Sequence, residues 1–151
     1  MRPLTEDDYA AVLPLVAYYQ RSYGVEEPDP ARNDRFFRRF LEPSADGLLL
    51  GAFAGEELVG YACLYWTFSS VSARDVVLMN DLYVAPGQRG GGVGLALIEA
   101  ARDVARDRGV AVLEWSTAPD NRRAQRLYEQ MGAERSELFE YEVRLGPPPP
   151  P

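Results

Sequence analysis

The chain has 151 residues and a formal charge of −7, from 16 basic and 23 acidic side chains. Every basic residue is Arg; Lys and His are absent, and Cys63 is the single Cys. These absences exclude Schiff-base chemistry on a side-chain amine, a P-loop lysine, Ser-His or Cys-His pairs, and His or multi-Cys metal sites.

A short strand is expected at 2–4. Thr5 followed by Asp8 resembles a capping box opening a helix over 6–22, with Ala10, Leu13, Val16 and Ala17 on its apolar stripe and a kink at Pro14. Gly24 to Pro28 is a break. Asp29-Pro30 starts a second helix, with Pro at its first position, that carries Phe36, Phe37, Phe40 and Leu41. Strands follow at 48–54 and 58–68 around a Gly55-Glu56-Glu57 turn, and at 76–84. Pro86-Gly87 closes the third of these and Arg89-Gly90-Gly91-Gly92-Val93-Gly94 follows. The helix predicted over 93–108 turns Leu95, Ile98, Ala101, Val104 and Ala105 inward, and Gly109 stops it. A buried strand is expected at 110–116, a fourth helix from Pro119-Asp120-Asn121 through Met131, and a last strand at 136–145. Gly146 and the five prolines after it read as a polyproline tail or linker stub. The order predicts one domain over 1–146, a mixed α/β layer with a strand–glycine turn–helix–strand crossover at 76–116.

No apolar run approaches the ~18–20 residues of a membrane span. The first eight residues turn acidic where a secretion signal needs an apolar core, and a lone Cys fits a reducing compartment, so a cytoplasmic protein without a membrane partner is expected. No basic stripe exceeds Arg38-Arg39 or Arg122-Arg123, which argues against nucleic acid. The charge is uneven: residues 1–85 carry 7 Arg against 13 carboxylates, whereas 86–135 carry 8 Arg against 7. An anionic ligand near the glycines and a cationic one nearer the first half are compatible with that balance.

A strand running into a glycine turn and a helix presents unpaired N–H groups and the positive end of the helix dipole, and glycine lets an anion approach the backbone. The rival phosphate motifs fit poorly. A P-loop lacks its Lys, and the glycine spacing is wrong for a dinucleotide fingerprint, with Glu114 inside its strand rather than at the end.

Asn80-Asp81-Leu82-Tyr83-Val84-Ala85-Pro86, then Arg89-x-x-Gly92-x-Gly94, then Asn121 and Tyr128, resembles the GCN5-related N-acetyltransferase (GNAT) family, over nearly the whole chain. The segment 78–84, with Tyr65-Trp66-Thr67-Phe68 upstream, looks most like the polyamine and small-amine members. The resemblance implies an acyl-CoA N-acyltransferase fold: a mixed, mostly antiparallel sheet flanked by about four helices. It implies acetyl-CoA as acyl donor, with no metal. Its pyrophosphate and pantetheine would lie on the backbone of Arg89, Gly90, Gly91, Gly92, Val93, Gly94 and Leu95, and its arm along Leu82, Tyr83 and Val84. Asn121 matches the family Asn that touches the arm, and Tyr128 the tyrosine beside the sulfur. Seven helical residues place Asn121 and Tyr128 on one stripe.

The implied reaction is acetyl transfer to a primary amine, a small cationic one first. A peptide acceptor and a non-catalytic acyl-CoA-binding module are the alternatives, and a homodimer is compatible with the family. Tyr128, a phenol that in free solution titrates near pH ~10, is the expected general acid. The polyamine enzymes commonly carry Glu where this chain has Asn80, an amide that takes no proton. Asp81 is therefore the first candidate to hold the amine and serve as base, Glu114 the second, with water alone still open. Tyr61, Tyr65 and Trp66 are candidates to line an acceptor pocket.

Overall fold

The structure is a computed structural model that describes residues 1–146; the proline tail predicted at 147–151 lies outside the described residues. Met1–Ser116 forms one compact unit and the residues from Thr117 onward another. No helix among the described residues is long and apolar enough to cross a membrane.

The first unit is a five-stranded sheet in the order β1 (Arg2–Pro3), β2 (Gly47–Ala54), β3 (Glu57–Ser69), β4 (Arg74–Val84) and β5 (Leu113–Glu114). The pairs through β4 are antiparallel, and β4 pairs with β5 in parallel. This is the mixed, mostly antiparallel sheet expected. The β2–β3 hairpin is tighter than predicted. Ala54 pairs with Glu57, and Gly55 takes φ +62° at the first of the two loop positions, the place a type II′ turn reserves for glycine.

Helix α1 (Glu6–Ser22) begins as the Thr5/Asp8 spacing predicts. The Thr5 N–H donates to Asp8 Oδ2 at 2.9 Å, and the Arg2 guanidinium forks onto the same carboxylate at 2.5 and 2.7 Å. Those bonds, Arg2 first, hold the Asp8 carboxyl well below the usual carboxylate range. The helix runs unbroken through Pro14. Its buried stripe is Tyr9, Val12 and Val16 rather than one through Ala10 and Ala17. Tyr9 enters the core because its hydroxyl finds a partner there, donating to the Asp34 carbonyl at 2.7 Å. Helix α2 (Pro30–Phe37) is capped by Asp29, whose side chain accepts from the Arg32 N–H at 3.0 Å; a 3-10 turn continues it over Arg38–Phe40.

Alternation along β3 separates two faces of the sheet. Tyr61 and Cys63 join Leu49 and Tyr83 in one core cluster with Tyr9, Val12 and Val16 of α1 and Phe37 and Phe40 beyond it. Gly60, Ala62 and Leu64 face the other way, towards α3 (Val93–Asp107), which buries Leu97, Ile98, Ala101 and Ala105. A Cβ on Gly60 would lie 2.7 Å from the Tyr83 carbonyl oxygen and 3.5 Å from Leu97 Cδ1, so the backbones and helix meet where only glycine fits. The inward stripe of α3 is thus rotated from the predicted one: Leu97 replaces Leu95 and Val104, which are half-buried.

Two predicted strands are shortened or missing. β5 keeps only Leu113–Glu114 of the expected 110–116, because β4 offers it a parallel partner only at Val77 and Leu78. The segment 136–145 alternates in sequence but forms no strand, and Leu138, Phe139, Tyr141, Val143 and Leu145 are exposed. The unit from Thr117 onward contains α4 (Arg122–Gln130) and no described strand, so that segment has no ladder partner within its own unit.

Candidate active site

The site grows from an irregularity in β4. Cys63 pairs with Asp81 and Leu64 with Met79, so Asn80 is one residue too many for the ladder. Paired residues share a face and successive β3 residues alternate. Met79 therefore follows Leu64 towards α3, while Asp81, two residues later, follows Cys63 towards α1 and α2. Without the bulge both would point the same way.

Asp81 is 8% exposed. Burial pushes its carboxyl up to about 6, against the pull of the Asn80 amide, whose Nδ2 donates to Asp81 Oδ1 at 3.1 Å. Around it, burial pushes the Tyr61, Cys63 and Tyr65 side chains up, away from ionisation, and the Asp81 charge adds to each. The Tyr61 hydroxyl is fully buried and has no hydrogen-bond partner among the described residues.

Above Asp81 lies a cleft of about 280 Å³. Asn80, Asp81 and Tyr65 form its sheet side. Tyr19, Gln20 and Tyr23 come from the end of α1, Val25 from the following turn, and Arg32, Asn33, Phe36 and Phe37 from α2. The two helices are fixed to each other at this cleft by a reciprocal amide pair. Gln20 Nε2 donates to Asn33 Oδ1 and Asn33 Nδ2 to Gln20 Oε1, each at 2.8 Å, with Asn33 only 6% exposed. Tyr19 packs edge-on to Tyr23, Tyr61 and Tyr83.

Of the aromatics proposed from sequence, Tyr65 lines the cleft and Tyr61 lies buried in the core. Trp66 is engaged elsewhere, with its indole N–H donating to the Ser44 carbonyl at 3.3 Å and the Arg108 guanidinium 3.9 Å over its ring. Glu114 is exposed on β5, in register with Leu78, and is not among the residues lining this cleft. The helix residues Tyr19, Gln20, Tyr23, Arg32 and Asn33 were missed by sequence reasoning. Their one legible trace is the aromatic clustering on either side of the Gly24–Pro28 break.

Beyond Leu78, β4 keeps its β3 partner but loses β5, so Leu82, Tyr83 and Val84 form a strand paired on one side only. The glycine turn follows directly. Gly90 and Gly92 take φ +89° and +85°, and Gly92 is the N-cap of α3. The first amide of the α3 ladder is Ala96, donating to the Gly92 carbonyl at 3.0 Å, so Val93, Gly94 and Leu95 precede it with N–H groups directed out of the helix end. Nothing lies within 4 Å of a Cβ placed on Gly92. Arg89 braces the turn against the strand, donating through Nε to the Val84 carbonyl at 2.8 Å, with its guanidinium 5.8 Å from the Tyr83 ring centre. Open glycine backbone, outward amides and a one-sided strand fit a ligand with a phosphorylated end and an extended, hydrogen-bonding arm.

In the second unit, Asn121 caps α4, accepting from the Ala124 N–H at 3.3 Å and donating to Thr117 Oγ1 at 3.1 Å. Tyr128 lies within the same helix, half-buried.

Residues 12–133 match the Acetyltransferase (GNAT) family. The chain belongs to that family. It is an acetyltransferase that takes its acyl group from acetyl-CoA. The chain is 36% identical over 139 residues to an uncharacterized N-acetyltransferase, YhfO, of Bacillus subtilis, covering 92% of each protein. It is also 36% identical over 80 residues to the thialysine N-epsilon-acetyltransferase of Bos taurus, covering 53% of this chain and 46% of that one. Among solved structures, the crystal structure of a probable acetyltransferase superposes with a TM-score of 0.82 at 29% identity, covering 98% of this chain and all of the other. The family and the fold thus agree with the expectation from sequence.

Proposed function

We propose that the enzyme acetylates a small primary amine bound in the cleft over Asp81, by direct attack of the amine on the thioester. The observation that carries this reading is a buried carboxylate, pushed up to about 6, at the sheet side of an aromatic-walled cleft and within the one-sided stretch of β4. A carboxylate attracts an ammonium, and aromatic faces favour a cation beside them. A carboxyl raised to about 6 is ionised at neutral pH yet basic enough to accept the proton that the ammonium must lose.

Acetyl-CoA supplies the activated acyl group. The amides of Val93, Gly94 and Leu95, with the turn from Arg89 through Gly90, Gly91 and Gly92, would hold its pyrophosphate. The backbone of Leu82, Tyr83 and Val84 would hold its arm and Asn121 would add a contact. Asp81 takes a proton from the bound ammonium, directly or through water; the neutral nitrogen attacks the thioester carbonyl, the C–S bond breaks as Tyr128 gives a proton to the departing thiolate, and the proton the nitrogen sheds on becoming an amide restores the phenol. Each catalysed proton transfer of this kind is worth about 10²–10⁴-fold. The cleft volume of about 280 Å³ lies near the lower end for small-molecule sites, which favours a compact acceptor. The bovine relative, named for acetylating an ε-amine, points the same way.

The test is an acceptor panel of small amines and short peptides, read by thiol release and product mass. Amine-dependent release with a mass gain on a small amine is expected. Release with peptides alone would move the assignment to a peptide acceptor, and no release with any amine would reject it.

A further inference from the structure

We infer that the acceptor is a zwitterion, an amine that also carries an anionic group, with its ammonium at Asp81 and its anion at Arg32. This rests on the reading that the cleft over Asp81 takes the acceptor. Among the residues lining that cleft, Asp81 is the one carboxylate and Arg32 the one cation. They come from different layers, Asp81 from β4 and Arg32 from the first turn of α2. The lining beside them is aromatic, which suits a short hydrocarbon spacer.

Arg32 stands on a fixed backbone although its side chain is 79% exposed. Its N–H is held by Asp29 Oδ1 at 3.0 Å, and the adjacent Asn33 is locked to Gln20 by two hydrogen bonds. Its ion pair with Asp29 is loose: Nε lies 3.9 Å from Oδ2, at the outer limit of such contacts and without the forked geometry a guanidinium gives a carboxylate. Asp29 is moreover occupied in capping α2. A carboxylate entering the cleft can therefore take up the guanidinium face that Asp29 does not fork.

The same residue discriminates against the alternative. A diamine or polyamine would bring a second ammonium towards Arg32, and like charges in one cleft disfavour that partner. A cleft tuned for polyamines has no use for a cation in its wall. Arg32 is thus a specificity-determining residue that selects amino-acid-like acceptors over polycations.

The test uses the full chain and a series of ω-amino acids of three to seven carbons, each with its terminal amide and the diamine of equal length. kcat/KM for acetyl transfer and, separately, Kd by calorimetry are measured for wild type, Arg32→Gln and Arg32→Lys. In wild type, the carboxylate of at least one length should exceed its amide by about fivefold or more, consistent with an exposed charge pair, and the diamine should be weakest. Arg32→Gln should remove the preference between carboxylate and amide and improve the diamine, while Arg32→Lys should keep part of the preference. Equal use of carboxylates and amides by wild type, or a preference that survives Arg32→Gln, overturns the zwitterion assignment while leaving amine acetylation in place. Failure of the whole series to bind or react, with other amines acetylated, also overturns it. Failure of every amine takes the acceptor reading with it.

Discussion

Asp81→Asn should make the protein more stable at neutral pH while disabling it. Burial holds the Asp81 carboxyl at about 6 in the folded chain, against an ordinary value of 3.8. The folded state therefore binds a proton more tightly than the unfolded state, and stability falls as pH rises through this interval. The loss begins near 3.8, is complete above about 6, and totals roughly two pK units, or about 3 kcal/mol at ~1.36 kcal/mol each. Set against typical domain stabilities of ~5–15 kcal/mol, that is a large local cost. The amide is neutral at every pH, and its Oδ1 can still accept from Asn80 Nδ2, so the variant escapes the cost. Urea denaturation of both proteins, compared at matched pH, isolates the one group that differs. The variant should lead by about 1 kcal/mol at pH 4.5 and about 3 kcal/mol at pH 8. A gap that does not widen with pH, or a variant less stable at pH 8, would refute the reasoning.

The catalytic counterpart is an acidic limb near pH 6 in kcat/KM; Asn80→Ala, which removes the amide donor, should move that limb upward by a fraction of a unit. A limb that stays in place would show that Asn80 does not tune the carboxylate. Gly92→Ala should cost about 1–2 kcal/mol from its φ of +85° alone, since nothing lies within 4 Å of the added Cβ, and should weaken CoA binding by calorimetry. Wild-type melting of that variant would contradict it. Tyr128→Phe should lower kcat with little change in the Kd for CoA, and unchanged turnover would remove Tyr128 from the mechanism.

What was legible in the sequence is the part governed by local chemistry. The Thr5/Asp8 cap, the Asp29-Pro30 start, the Gly55 hairpin and the glycine turn before α3 each follow from residues within a few positions, and all formed where expected. The less legible part depends on partners distant in the chain. β5 is short because Val77 and Leu78 alone face it, which nothing within 110–116 reveals. The stripe of α1 depends on a carbonyl at Asp34 that receives the Tyr9 hydroxyl. The cleft is the extreme case: Gln20 and Asn33 are unremarkable polar residues on separate helices, and only their mutual pairing makes them a wall of the site.

The bulge at Asn80 explains why the site carries a costly group at all. A regular β4 would send Asp81 towards α3, onto the face where Leu97, Ile98 and Ala101 are buried. One extra residue turns it to the α1–α2 face, where the cleft gives it access and the side chain of the bulged residue gives it a hydrogen bond. The same insertion falls just past the last β4–β5 pair, at Leu78, so that the acidic side chain sits within the stretch of β4 that is paired on one side only. The carboxylate proposed for the acceptor and the strand residues proposed for the donor thereby fall on consecutive residues of β4. Asn80 thus acts through backbone geometry and one amide hydrogen, a contribution that needs no proton-accepting group at its position.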